Sequence, residues 1–288
     1  MKTGFILHII IILLLFTGCD KDSGEPVSGN PSQREMRFAF LHPGSAARAT
    51  DTGFESGDCV SLFLKESSRP LEIAGNRITN ECLTYDGSDW SFRMPFYWDK
   101  GVYDAVAIYP YIDEIYSVTD LGFEVSADQR AGLGENDLMY ASVSNLEASD
   151  KPVSMIFRHM LSKLTVRLVK GEDYEGELPQ SATVLVHNTV TRATVDLEAG
   201  VATREPKADA STVTAFKTGA STYAAILIPQ RIDNRLPLIE VLAGDISLVY
   251  ESTFHFKPGV HHLINLVIER NPEQTHISIG GEMNEWED

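Results

Sequence analysis

Residues 161–169 read Leu-Ser-Lys-Leu-Thr-Val-Arg-Leu-Val, and this stretch decides the fold class. Its apolar residues Leu164, Val166 and Leu168 alternate with a threonine and an arginine. Successive side chains of a β-strand point to opposite faces, so a period of two predicts a strand with one face on a core and the other toward water. The pattern therefore favours a β-sheet over an amphipathic helix.

Similar runs recur along the chain from residue 36 onward, separated by Gly, Asp, Asn and Pro turn signals. The clearest of them are residues 60–64, 102–109, 182–186, 223–228, 236–242, 246–250 and 262–268. They are rich in Val, Ile, Thr, Tyr and Phe, which are typical of strands. Residues 224–228 are apolar at every position, which predicts a strand buried on both faces. Only residues 127–136 suggest a turn or two of helix, so we predict an all-β protein.

The N-terminal residues form a targeting signal. Lys2 precedes an apolar run over residues 5–16, which is shorter than the roughly 20 residues needed to cross a bilayer. The next residues, Leu-Phe-Thr-Gly-Cys, resemble the lipobox of bacterial lipoproteins, where a peptidase cuts before a cysteine that has been acylated. We expect Cys19 to carry acyl chains such as palmitate and to hold the mature N-terminus in the membrane. The alternative is an ordinary secretory peptide that contains a cysteine.

The length of 288 residues has room for roughly two domains of about 150 residues. A polar stretch, Ser-Asn-Leu-Glu-Ala-Ser-Asp-Lys-Pro at residues 144–152, ends in a proline before a new apolar run, which is typical of a domain boundary. We therefore predict a signal peptide at residues 1–18, a flexible polar tether at 19–35, and β-sandwich domains at 36–148 and 149–288.

Composition and motifs limit the function classes. The chain has 24 Lys and Arg against 41 Asp and Glu, and a net charge of −17 argues against a nucleic-acid partner, because phosphate neutralisation needs clustered cations. The sequence contains no Gly-x-Ser-x-Gly and no His-Glu-x-x-His motif. His261 and His262 point to opposite faces of a predicted strand, which is a poor geometry for one metal ion. We expect no enzymatic activity, no cofactor and no metal site.

Two further cysteines lie in the predicted N-terminal domain. Cys59 and Cys82 are able to pair in an oxidising compartment. Cysteines in strands are also common as small buried hydrophobic residues, with no bond between them. The sequence is consistent with both interpretations, because spacing alone does not show whether two strands bring their thiols together.

Six segments, in order, resemble the fimbrillin family of Bacteroidales, the pilins of major and minor fimbriae. These segments are residues 48–58, 103–111, 137–141, 157–164, 226–230, and 264–268 with the following 277–286. The resemblance implies two consecutive transthyretin-like β-sandwich domains in a lipidated precursor. It also implies a structural or adhesive pilus subunit, located at the outer membrane or in the extracellular pilus. Cys59 departs from the family pattern, in which a polar or basic residue is expected.

The resemblance further implies maturation by an Arg-specific protease and assembly with other pilus subunits by donor-strand exchange. A cut between Arg48 and Ala49 removes the lipid and the first strand, and another subunit then supplies a strand in its place. Arg34 and Arg37 are rival cleavage sites, but a cut there leaves most of the first strand attached. An uncut Arg48 in an ordinary loop is the alternative.

The first predicted strand carries large apolar side chains on one face. Met36, Phe38 and Phe40 occupy alternate positions, so we expect them to fill a groove in the N-terminal domain. Strand addition places alternate side chains in pockets, and a donor strand needs equivalent groups. The candidates in the C-terminal segment are Ile277, Ile279, Met283 and Trp286. Alternatively, this segment completes its own domain.

A second function class is a lipidated surface module that binds host or dietary glycans and never polymerises. Trp90, Tyr97 and Trp98 are the aromatic residues available for a sugar platform. Packing in the core or at its edge explains these three residues better, because large aromatic side chains dominate the energetics of protein cores.

Overall fold

The structure, a computed structural model of the chain, describes residues 34–43, 53–244, 246–269 and 276–283, with residues 246 and 276–283 as backbone. Within these ranges the regular elements are strands, apart from one 3₁₀ turn at Gly134–Asn136. The predicted all-β class is confirmed. Of the helical turn or two expected in residues 127–136, the structure forms only this 3₁₀ turn. The described residues include no helix long and apolar enough to cross a membrane.

The strands are numbered in chain order. The first ten are β1 Phe38–Leu41, β2 Cys59–Glu66, β3 Ile78–Tyr85, β4 Trp90–Phe92, β5 Tyr103–Tyr109, β6 Leu121–Glu124, β7 Met139–Leu146, β8 Val153–Ile156, β9 Arg158–His159 and β10 Ser162–Lys170. The others are β11 Thr183–Thr189, β12 Arg192–Asp196, β13 Val201–Arg204, β14 Ser211–Thr214, β15 Phe216–Gly219, β16 Thr222–Leu227, β17 Gln230–Ala243, β18 Ile246–Phe256, β19 His261–Ile268 and β20 His276–Met283. Every run predicted from the sequence overlaps one of these strands.

The N-terminal half contains strands β1 to β9, and all of these except β6 form a six-stranded sheet and a two-stranded layer. The sheet has the order β4-β3-β2-β5-β7-β9, and the layer pairs β1 with β8 in parallel. Both contribute to one apolar core, which includes Val60, Leu62 and Leu64 of β2 and Phe38 and Phe40 of β1. The strand that begins the described chain is therefore part of this core.

The C-terminal half contains a five-stranded sheet, β15-β16-β10-β19-β20, and a four-stranded sheet, β14-β11-β17-β18. Strand β10 lies in the middle of the first sheet, antiparallel to β16 and parallel to β19. Its residues Leu164, Val166 and Leu168 are buried in the core of this half, while Arg167 is exposed. The predicted alternation of residues 161–169 is confirmed.

A third core joins strands from both halves. Strand β6 pairs with β12 in a sheet of order β13-β12-β6. The core beneath includes Val106 and Ile108 of β5 together with Ile226 and Ile228, whereas Leu227 of β16 belongs to the C-terminal core. Residues 224–228 are thus buried on both faces, as predicted. The domain limits at 36–148 and 149–288 stay a prediction, and the two predicted domains share this third core.

Gln129 connects the segment after β6 to β16 across the third core. Its side chain is buried, its Nε2 donates to the Ile226 carbonyl at 2.8 Å, and its Oε1 accepts from the Ile226 N–H at 2.8 Å. Its backbone N–H donates to the Thr214 carbonyl at 3.0 Å. The pairing of β15 with β16 begins at Ala224, so β15 has no residue opposite Ile226. The Gln129 side-chain amide supplies the hydrogen bonds that a neighbouring strand would otherwise make there. No sequence pattern singles out this residue.

We expect Gln129→Ala to lower the free energy of unfolding by about 1–3 kcal/mol for each buried backbone group of Ile226 left without a partner. Urea unfolding followed by fluorescence measures the loss. The exposed neighbour Arg130 provides the control, and Arg130→Ala should leave the midpoint unchanged. Equal midpoints for the two variants would show that Gln129 does not hold β16.

Candidate functional site

Strand β1 lies along one edge of β8. The parallel register runs from Phe38 opposite Val153 to Leu41 opposite Ile156. Residues 36–41, which contain β1, are called the β1 segment. The Val153 N–H donates to the Arg37 carbonyl at 2.8 Å, and the Phe157 N–H donates to the Leu41 carbonyl at 2.9 Å. Within the described residues, β8 is the one strand hydrogen-bonded to β1 in a sheet. Removing β1 would therefore expose one hydrogen-bonding edge of β8.

The alternate side chains of the β1 segment fill an apolar groove. Met36, Phe38 and Phe40 are 1%, 3% and 5% exposed, whereas Leu41 is 36% exposed. Burial of a side chain of this size contributes about 1.5–3 kcal/mol. The structure places the three predicted residues in the N-terminal core, and their role as replaceable plugs stays a prediction.

Aromatic side chains form the walls of this groove. The Phe40 ring lies 5.0 Å from Trp90, edge to face, and 5.6 Å from Phe157. The Phe38 ring lies 6.0 Å from Phe92, also edge to face. Such geometry adds about 0.5–1.5 kcal/mol to an aromatic pair beyond area burial. Strand β4 and the residue after β8 thus cover β1 from two separate parts of the chain.

Both arginines near the start of β1 are bound to the segment before β8. Arg34 donates through Nη1 to the Ala148 carbonyl at 3.1 Å, and its Nε lies 3.5 Å from a carboxylate oxygen of Asp150. The Arg37 guanidinium donates to the Asp150 carbonyl. A protease needs an arginine side chain that enters its specificity pocket, so these contacts disfavour Arg34 and Arg37 as cleavage sites.

The described residues on the two sides of positions 44–52 lie close together. Gly53 has φ +61°, and a Cβ atom built there would lie 2.5 Å from Cγ of His42. Only glycine tolerates both the positive φ and this close approach. The His42 ring also lies 5.5 Å from the Phe54 ring. The predicted cleavage position, Arg48 with Ala49, lies outside the described residues, between these two ends.

Phe54 and Tyr109 complete the groove at this end. Their rings are 5.4 Å apart, and the Tyr109 hydroxyl donates to a carboxylate oxygen of Asp58 at 3.2 Å. Burial, reinforced by the negative charge of Asp58, raises the pKa of Tyr109. The phenol therefore remains a neutral donor at physiological pH, and the contact helps to fix the chain between Phe54 and β2.

The C-terminal strand β20 occupies the edge of the five-stranded sheet. It pairs antiparallel with β19, and the register sets Ile277 opposite Leu266 and Ile279 opposite Ile264. Met283 is its last residue. In this conformation the segment completes its own sheet, and its role as a donor stays a prediction. Trp286 and the predicted lipidation residue Cys19 lie outside the described residues.

The three aromatic residues considered for a sugar platform do not share one exposed surface. Trp98 is fully buried, and the Trp90 ring packs at 5.0 Å on Tyr85 as well as on Phe40. Tyr97 is 43% exposed. Packing explains two of the three, so the structure offers no aromatic face to a glycan at this position.

A groove of about 410 Å³ lies on the four-stranded sheet of the C-terminal half. His187 lines it, with Nδ1 2.8 Å from Thr212 Oγ1 and Nε2 2.8 Å from a carboxylate oxygen of Glu240. A hydrogen bond from Ser247, together with His187, lowers the pKa of Glu240. The polar side chains of this groove therefore hydrogen-bond to one another. No three His, Cys, Asp or Glu side chains converge on a metal position in the described ranges.

The sequence does not predict which residues form the walls of the β1 groove. Trp90 and Phe92 are two residues apart on a short strand, and Phe157 follows another strand, so nothing local links them to residues 36–40. The alternation of large apolar residues on β1 was the available signal. It predicts a buried face and does not identify the residues that cover it.

Phe40→Ala should lower the free energy of unfolding by about 3–5 kcal/mol, because it leaves a cavity between Trp90 and Phe157. Leu41→Ala changes the adjacent exposed residue and should cost about 0.5 kcal/mol or less. Urea unfolding of the full chain measures both. Equal losses would mean that β1 is not held by the groove.

Comparison with known proteins identifies a family and a fold. The family model described as fimbrillin-like matches residues 47–286. A candidate cell adhesion protein of Bacteroides uniformis is 18% identical, with a TM-score of 0.70 over 88% of this chain and 99% of that one. The tip fimbrial protein Mfa3 of Porphyromonas gingivalis, truncated at its C-terminus, is 11% identical, with a TM-score of 0.51 over 81% and 95% of the chains. No curated protein sequence matches the chain.

Proposed function

Because the chain belongs to the fimbrillin-like family, we propose that it is a structural and adhesive subunit of a bacterial surface pilus. The observation that carries the proposal is β1, a four-residue strand whose large side chains fill a groove built by the rest of the N-terminal half. Fold similarity to the tip fimbrial protein of Porphyromonas gingivalis supports the same class. The family points to a structural role rather than to catalysis.

In this proposal, β1 fills the groove only until a strand from another subunit replaces it. A cut after Arg48 breaks its covalent link to β2. Non-covalent contacts then hold it: the β8 ladder, the groove, the backbone hydrogen bonds of residues 34–36 to residues 96–98, and the arginine contacts to the segment before β8. Three side chains contributing about 1.5–3 kcal/mol each are a large share of a domain stability of about 5–15 kcal/mol. An empty groove is therefore costly, and a replacement strand binds strongly.

The donor in this proposal is the C-terminal segment of another subunit. Strand β20 lies at a sheet edge and pairs with β19 alone among the described strands, so its departure breaks one ladder. Ile277, Ile279, Met283 and Trp286 would then take the pockets that Met36, Phe38 and Phe40 vacate. Such head-to-tail addition joins two different surfaces and grows an open fibre.

The lipid anchor belongs to the precursor. We infer that acylation of Cys19 holds the uncut protein in the outer membrane, and that cleavage at Arg48 releases the mature part for assembly. An exported protein of net charge −17 repels its copies at a distance, so specific strand exchange rather than non-specific association has to join them. Partners are other subunits, the Arg-specific protease and the membrane.

Treatment of the purified precursor with an Arg-specific protease should remove the segment before Ala49 and produce ladders of oligomers. Arg48→Ala should abolish both, because it removes the side chain that an Arg-specific protease recognises and leaves the groove unchanged. Arg37→Ala is the matched control and should leave the ladders unchanged. N-terminal sequencing and denaturing gels without boiling measure the two effects. A cut chain that remains monomeric would contradict the pilin proposal and favour a non-polymerising binding module.

Cys19→Ala should release the precursor from the membrane fraction, because the acylated residue is lost. Fractionation of cells followed by immunoblotting measures the distribution, and labelling with a palmitate analogue tests acylation directly. Cys82→Ala keeps Cys19 and should remain in the membrane fraction. Retention of the Cys19→Ala protein in the membrane would overturn the lipoprotein assignment.

A further inference from the structure

Two thiols meet on neighbouring strands of the six-stranded sheet. The Sγ atoms of Cys59 on β2 and Cys82 on β3 lie 2.7 Å apart, and both residues are half-buried. The register sets Cys59 opposite Thr84 and Cys82 opposite Ser61, so the two cysteines are diagonal neighbours. They lie on strands that are already joined by a ladder of backbone hydrogen bonds.

The distance between the sulfur atoms is close to that of a bond. Unbonded carbon atoms pack at about 3.5–4.0 Å, and sulfur is larger than carbon. A disulfide bond is about 2.05 Å long, so closure requires the Cys59 and Cys82 sulfur atoms to approach by about 0.6 Å. The register places both side chains on the same face of the sheet, where their sulfur atoms already meet.

The surroundings favour a structural bridge over a reactive thiol. Burial, together with the neighbouring Cys59, raises the pKa of Cys82 to about 11. The thiolate is the nucleophile in disulfide exchange, and a low thiol pKa is what stabilises the reduced form of redox-active pairs. Cys82 has the opposite property, so the reduced pair gains no such stabilisation.

We propose that Cys59 and Cys82 form an intramolecular disulfide in the exported protein. The proposal rests on the proposed surface location, because such bonds persist in oxidising compartments. The oxidant is a protein or small-molecule disulfide. Its S–S bond and the two cysteine S–H bonds break, the Cys59–Cys82 S–S bond forms through a mixed disulfide, and two electrons and two protons pass to the oxidant, which leaves as a dithiol.

The bridge has a structural role next to the β1 groove. Strands β4 and β3 form the outer side of the six-stranded sheet, and β4 packs against β1 through Trp90 and Phe92. Departure of β1 removes this cover. A bond between Cys59, at the start of β2, and Cys82 keeps β3 and β4 attached to the sheet, so the groove retains its wall until a new strand arrives.

Alkylation followed by peptide mapping tests the bond. Protein from the surface of cells that make it is denatured in N-ethylmaleimide without reductant, digested and analysed by mass spectrometry. We expect the Cys59 and Cys82 peptides to be unalkylated, joined, and two hydrogen atoms lighter than the sum of the free peptides. In the Cys59→Ser control, Cys82 should be alkylated. Alkylation of both cysteines in the wild-type protein would overturn the proposal.

Stability provides an independent readout. Reduction with dithiothreitol should lower the Tm of the wild-type protein by about 4–10 °C, since a bridge closing a loop of this size constrains the unfolded chain. The Cys59→Ser, Cys82→Ser double variant should show no such shift. An equal shift in both proteins would count against the bridge. The same samples are tested for oligomer ladders. If the protein assembles while both thiols are alkylated, the disulfide proposal is wrong and the pilin proposal stands. If the disulfide is present and the protein never assembles, the pilin proposal is wrong and the disulfide proposal stands.

Discussion

Burial of the Phe38 and Phe40 rings in the N-terminal core holds the first described strand in place. Their contacts with Trp90, Phe92 and Phe157 connect β1 to β4 and to the end of β8. The backbone adds two short sets of hydrogen bonds, from β1 to β8 and from residues 34–36 to residues 96–98. In the proposed maturation, one cut in the chain makes this strand separable from the groove that it fills.

The two halves of the molecule also share a core. Strand β6 pairs with β12, and the Gln129 amide satisfies both backbone groups of Ile226. Apolar residues of β5 and β16 fill the space between them. Buried polar groups must find partners, and here they find them across 97 residues of sequence. The third core therefore joins the two halves without a contribution from the described side chains of β1.

One half of the candidate site, the buried face of residues 36–40, is predictable from sequence. Alternation of large residues at 36–40 predicted a buried face, and the structure buries Met36, Phe38 and Phe40. The covering residues were not predictable, since Trp90, Phe92 and Phe157 come from separate segments without a common pattern. For the C-terminal segment, apolar composition was visible, but its pairing with β19 was one of two alternatives that composition does not distinguish.

Three properties follow from the order of residues alone: the all-β class, the alternating face of residues 161–169 and the double burial of residues 224–228. These properties are local, because side chains of a strand alternate whatever its neighbour is. Tertiary structure alone decided that β1 lies beside β8, that β6 crosses to β12 and that the thiols of Cys59 and Cys82 meet. Each of these contacts depends on strand order and register. Both arise from the packing of segments that are distant in sequence, so no local pattern of residues predicts them.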